Sequence, residues 1–175
     1  MSRSLKIALA AAALSVIAAP ALAQTSATQS TTASATIVQP ITLTKNSDLA
    51  FGSVVKPTSG TNTVTINETT GARTKTGAGD AALATSTTSR AAFTVGGEGG
   101  QTFSITVPST ATMTRSGGSE TLTANLVKTG TSGTLSGSIG SAGSATFGVG
   151  GNFDVDSTTV SGAYSGSFNT TVAYN

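Results

Sequence analysis

In the segment AAFTV apolar side chains fall at every second residue, Ala91, Phe93 and Val95, with polar Thr94 between them. The spacing recurs at Phe103, Ile105 and Val107, at Leu122, Ala124 and Leu126, and at Phe153 and Val155. Period two places successive side chains on opposite faces of a β-strand, so each of these runs predicts a strand with one buried face. After the first 23 residues no segment sustains a period of three to four, and β-branched residues and turn formers dominate. The predicted strands are Ala33–Val38 with Ile41–Thr44, Leu49–Val55, Thr63–Asn67, Ala91–Val95, Thr102–Val107, Glu120–Val127, Gly143–Val149, Asn152–Val155 and Gly162–Tyr174.

The connectors KPTSGTN, GARTKTGAGD, VGGEGGQ and PSTATMTRSGGSE carry the Gly, Pro, Asn and Asp that tight turns require. The spacing of strands and turns predicts an all-β protein built as a β-sandwich. The Gly-rich stretch 130–143 reads as a long loop with one weak strand, because Leu135 and Ile139 lie within it. GGEGG at 96–100 reads as a hairpin turn; no helical pattern follows it to hold a phosphate.

Export is written at the start of the chain. Arg3 and Lys6 precede the apolar run Ile7–Ala19, and Ala21-Leu22-Ala23 supplies a small-x-small cleavage site, which predicts a signal peptide over residues 1–23. Its removal takes two of the nine basic residues and none of the seven acidic ones, leaving seven of each and a net charge of zero. A neutral chain offers no electrostatic footprint for nucleic acid or anionic lipid. No nucleic-acid partner and no lipid anchor are expected. Ile, Leu, Val and Phe number 28 of the remaining 152 residues, a low share of large apolar side chains for a folded domain. Zero net charge and strict alternation nevertheless favour folding over disorder. The absence of cysteine leaves sheet hydrogen bonding and packing as the sources of stability.

The same inventory argues against catalysis. Without histidine there is no usual general base, no serine triad of the common kind and no commonest metal ligand. Lysines are present for a Ser-Lys pair, but no nucleophile elbow accompanies them. Asn152, Asp154 and Asp156 are spaced like the opening of a calcium loop, yet the Gly and Glu that would complete it are missing. Phe153 and Val155 between them point instead to an amphipathic strand. Arg73 and Lys75 read as a solvated loop tip. No enzyme activity, cofactor or metal is expected.

Several stretches together resemble an exported bacterial β-protein family, the "four-four-zero-two" domain of unknown function. They are ASATIVQPITLTKNSDLAFGSVV at 33–55, AAFTVGGEGGQTFSITVPST at 91–110, ATFGVGGNFDV at 145–155 and GAYSGSFNTTVAYN at 162–175. The ending also resembles the last strand of chaperone-usher pilins, with Gly162 fourteenth from the end and Tyr174 penultimate. That resemblance implies an immunoglobulin-like β-sandwich completed by strand addition, with a periplasmic chaperone, an outer-membrane usher and a homopolymer as partners. It makes Gly162, Tyr164, Phe168, Val172 and Tyr174 the assembly strand. The pilin disulfide has no counterpart here. Residues 24–34 contain no large apolar side chain, so the segment carrying Ala33, Ala35, Ile37, Ile41 and Leu43 serves either as a donated strand or as the domain's own first strand.

The expected organisation is a signal peptide over 1–23, a flexible extension over 24–32 and one β-sandwich domain over 33–175. The expected function is that of a structural or adhesive subunit of a bacterial fibre or cell surface, passing through the periplasm to the cell surface, fimbrium or medium. A self-contained secreted surface domain and a small outer-membrane β-barrel are the alternatives. A carbohydrate-binding module would need an exposed aromatic platform, and the chain has no Trp and only two Tyr. Intact mass of the exported protein should begin at Gln24; recovery of chains that retain Met1 would contradict cleavage.

Overall fold

The computed structural model describes residues 26–175. The predicted signal peptide lies outside them. Among the described residues every regular element is a strand: β1 (Thr42–Ser47), β2 (Val54–Val55), β3 (Thr61–Ile66), β4 (Arg73–Gly77), β5 (Ala82–Leu83), β6 (Ala91–Glu98), β7 (Thr102–Thr106), β8 (Thr110–Arg115), β9 (Thr121–Lys128), β10 (Ser132–Thr134), β11 (Ala142–Asp156), β12 (Tyr164–Ser165) and β13 (Thr171–Tyr174). All pairings are antiparallel. Residues 26–35, taken by themselves, are exposed and form no strand.

Fifteen-residue β11 organises the body from Thr36 to Asn175. Its first half pairs with β6, from Ala142 opposite Glu98 to Val149 opposite Ala91. Its second half pairs with β3, from Gly151 opposite Ile66 to Asp156 opposite Thr61. Val149 also faces Lys128, and Gly151 also faces Leu126, so β9 must occupy the opposite edge of β11 from β6 and β3. One edge therefore carries two strands in succession, and the sheet divides into two halves.

Glycine makes the division possible. A Cβ at Gly148 would overlap Arg90 and the Glu68 carbonyl, and one at Gly150 would overlap the Ile66 carbonyl. The chain leaving β3 thus crosses directly over this face of β11, an approach only glycine permits. Arg90 Nη1 donates to the Glu68 carbonyl at 2.8 Å and holds the crossing chain in place.

Each half of the sheet has its own core. The first gathers Phe93 and Val95 of β6, Phe103 and Ile105 of β7, and Phe147 and Val149 of β11, with Leu135. It lies between the large sheet and a three-stranded sheet ordered β10-β7-β13. Phe93 and Phe147 are direct cross-strand partners and stack with centroids 5.1 Å apart. The second core holds Val64, Ile66, Ala124, Phe153 and Val155, with Phe51 set edge-on to Phe153 at 4.9 Å.

The all-β expectation is met, and the period-two signal locates β3, β6, β7, β9 and β11. Two of the corrections to the sequence reading concern how strands are connected. The GGEGG segment is not a hairpin turn, because β6 belongs to the large sheet and β7 to the small one, so the turn at 99–100 carries the chain between sheets. Residues 33–38 do not form a strand; Pro40, which lacks an N–H and fixes its own φ, separates them from β1. Among the described residues the two longer sheets end at unpaired edges rather than closing on themselves.

Truncating Phe147, 6% exposed and stacked on Phe93, should cost about 3–5 kcal/mol, a large part of a net stability of about 5–15 kcal/mol. Urea titration of Phe147→Ala against wild type measures it; a loss below about 1 kcal/mol would contradict this core.

Candidate assembly cleft and C-terminal strand

The second core is not sealed. A cleft of about 700 Å³ opens over it. Its floor is the inward face of β8 and β9, where Ala111 faces Ala124 and Met113 faces Leu122 across the pair. Phe153 and Val155 of β11 and residues 49–54 form one side, and the returning chain from Thr159 to Phe168 forms the other. The cleft exists because β9 pairs with β11 only from Lys128 to Asn125, so its residues 121–124 diverge from the end of β11.

Polar residues build the walls. Arg73, on β4, donates from Nη1 to the carbonyls of Phe51 at 2.9 Å and Ser53 at 3.1 Å, and from Nη2 to that of Ala84 at 2.6 Å. Lys75 donates to the Ala81 carbonyl. Both were read from sequence as a solvated loop tip; both instead lie on β4 and donate to backbone carbonyls, Arg73 half-buried and fastening the segment beside the cleft, Lys75 exposed. Lys56, the only charged residue lining it among the described residues, donates to the carbonyls of Ser157 and Thr159 at 3.1 and 3.2 Å. Asp156 Oδ1 accepts from the backbone and hydroxyl groups of Thr158 and Thr159. The Thr158 hydroxyl and N–H, followed by the Thr159 hydroxyl, hold this carboxyl below its ordinary range. Asp156 thus closes the turn before Val160, while Asp154 is exposed and accepts from Thr63 Oγ1 at 2.6 Å.

The final segment is not the single strand that its alternation suggests. Tyr164 and Ser165 pair with Arg115 and Thr114 of β8, whereas Thr171–Tyr174 pair with β7 in the other sheet. Gly166 lies so close to the Thr112 carbonyl that a Cβ there would overlap it, which lets the chain leave β8. Alternation survives the change of sheet: every odd-numbered residue from Ala163 to Asn175 is exposed, and Tyr164, Phe168, Val172 and Tyr174 are half-buried. Tyr164 lines the cleft, Phe168 lines it and also packs on the first core, and Val172 and Tyr174 pack only on the first core. Gly162 has φ +156°, and a Cβ there would meet Arg115 Cδ at 2.7 Å. The Arg115 guanidinium is engaged with Glu120, Nε to Oε2 at 2.7 Å, and this bond lowers the Glu120 pKa.

The one cluster that sequence reading missed is centred on Glu98, 2% exposed. Its Oε2 accepts from the Gln39 N–H at 3.1 Å, and Oε1 accepts from the Gly140 N–H. Its own N–H donates to the Tyr174 hydroxyl at 2.8 Å, which in turn donates to the Gln39 carbonyl at 2.8 Å. The peptide groups of Gln39 are therefore gripped from both sides. A faint signal was present in an acid flanked by four glycines in a chain with few charges. Of the donor candidates, Ile41 and Leu43 pack against the first core, Ala33 and Ala35 are exposed, and Ile37 is 90% exposed.

The model of one family, described as Domain of unknown function (DUF4402), matches residues 41–174. No curated protein and no solved structure matches the chain.

Tyr174→Phe keeps the ring but leaves a buried N–H and a carbonyl without partners, a loss of about 1–3 kcal/mol. Tyr174→Ala should cost more, toward about 3–5 kcal/mol. Denaturant midpoints of the two variants check this order; a Phe variant as stable as wild type would show the hydroxyl to be idle.

Proposed function

The chain belongs to this family of unknown function, and on that footing we propose that it is a non-enzymatic structural subunit of an extracellular bacterial fibre or surface layer, assembled by β-strand addition. The observation that carries this reading is the open apolar cleft of about 700 Å³ beside a C-terminal segment that pairs with only the last two residues of β8. A cleft floored by Ala, Met and Leu with one lysine on its rim suits an extended apolar strand, whose main chain would bond to the sheet and whose alternate side chains would enter the cleft. The lack of histidine, the usual general base, supports a passive role. On this reading the protein is exported, has an immunoglobulin-like sandwich left incomplete at the cleft, and meets a periplasmic chaperone and an outer-membrane usher on its way to the surface.

Size-exclusion chromatography and negative-stain microscopy of the exported protein test the reading. Concentration-dependent oligomers or filaments are expected, and deletion of residues 26–38 should leave a folded monomer. Protein that stays monomeric at high concentration, with deletion of 26–38 changing nothing, would overturn it.

A further inference from the structure

Independently of what fills the cleft, we infer that the protein carries a second contact surface, the charge-free apolar patch around Glu98, and that its partner is the same patch of a second copy. Three of the six exposed large apolar side chains gather there: Ile37, 90% exposed, Val38, 41%, and Ile139, 59%. Glu98 brings them together. The N–H that its Oε2 accepts belongs to the peptide bond after Val38, and the N–H that its Oε1 accepts belongs to the peptide bond after Ile139. Two segments far apart in sequence are thus held no more than about 8 Å from each other, two hydrogen bonds of about 3 Å across one carboxylate.

Ile139 stands on a fixed loop. The Ser136 N–H donates to the Ser144 carbonyl at 3.0 Å, the Gly99 N–H to the Ser141 carbonyl at 2.9 Å, and Ser141 Oγ to the Ser138 carbonyl at 2.8 Å. A Cβ at Gly99 would overlap the main chain of Ser138, so this loop lies directly on the turn that follows β6. Burying a carboxylate is costly, and both oxygens of this one serve to hold apolar side chains out toward water. A preorganised apolar patch of this kind serves contact with a partner rather than packing of the core.

Charge selects the partner. The segments that meet around Glu98, residues 36–44, 91–107, 129–153 and 167–174, hold no other charge. An isologous contact lays a patch against its own copy, so any charge near the two-fold axis would meet its like. This patch has none to repel. A bilayer also accepts neutral apolar surface, but the patch lacks the Trp and basic residues that anchor proteins at headgroups, and the Tyr174 hydroxyl is engaged with Glu98 and Gln39. The isologous contact closes at two copies and leaves the cleft free.

Sedimentation velocity of the exported protein should show a reversible monomer–dimer equilibrium. Ile139→Asp and Ile139→Lys, each with an unchanged urea midpoint, should each weaken it at least about tenfold through lost burial and like charges brought together. Mixing the two variants should restore a dimer, because opposite charges then meet. Val55→Asp alters a comparably exposed side chain, 58% exposed and outside both patch and cleft lining, and should change nothing. A dimer lost with Ile139→Asp in a protein that forms no filaments would support this contact and count against strand addition. Assembly that ignores the charge at residue 139, dimer or filament, would overturn the inference and leave strand addition standing. A protein that stays monomeric, or variants that fail to pair on mixing, would overturn it as well. Flotation with phosphatidylcholine vesicles that Ile139→Asp abolishes would assign the patch to a bilayer and overturn the second copy as its partner.

Discussion

Two cores hang on one strand, and the fold depends on that arrangement. The inward residues of β11 run Phe147, Val149, Phe153 and Val155; the first two pack in one core and the last two in the other. Between them Gly148, Gly150 and Gly151 let neighbouring backbone approach from β3 and β9. A side chain there would push the crossing chain at Glu68 away from β11 and separate the halves of the sheet. Scarcity of large apolar residues becomes tolerable under this design, because a single long strand supplies four buried side chains to two sites.

The cleft follows from the same constraint. β9 takes one edge of β11 only in the middle, so beyond Asn125 it turns away with β8. Closing the gap would require large side chains on the floor, whereas Ala111 and Ala124 are small and only Met113 and Leu122 have length. Polar residues surround the opening but do not fill it, since Arg73, Lys75 and Lys56 spend their donors on backbone carbonyls. At the half-buried Arg73, leaving the carbonyls of Phe51 and Ala84 unpaired would cost more than the hydrogen bonds contribute, which explains a guanidinium beside an apolar core.

Strand identity was legible wherever one face carried large apolar residues, as at Phe93 and Val95 or Phe153 and Val155. It was illegible where the inward face was polar or small. β4 sets Arg73 and Lys75 across from Ile66 and Val64, and β8 presents Ala111 and Met113, so both passed as loops. The alternation of residues 162–174 was read correctly as a pattern of burial and incorrectly as one strand, because period two describes faces and is silent on which sheet a strand joins. The partners of Glu98 were beyond reach for a related reason: Gln39, Gly140 and Tyr174 are 59, 42 and 76 residues away in sequence.

That cluster explains why a chain with two tyrosines keeps one next to its end. The ring of Tyr174 packs on the first core, as any large apolar side chain would, but only a hydroxyl can accept from the Glu98 N–H while donating to the Gln39 carbonyl. The last strand and the segment just before β1 are thereby fixed to the same residue of β6. The carboxyl buried at the join is satisfied by the N–H groups of Gln39 and Gly140, so Glu98 ties the segment before β1 and the last strand to β6, which in turn pairs with β11.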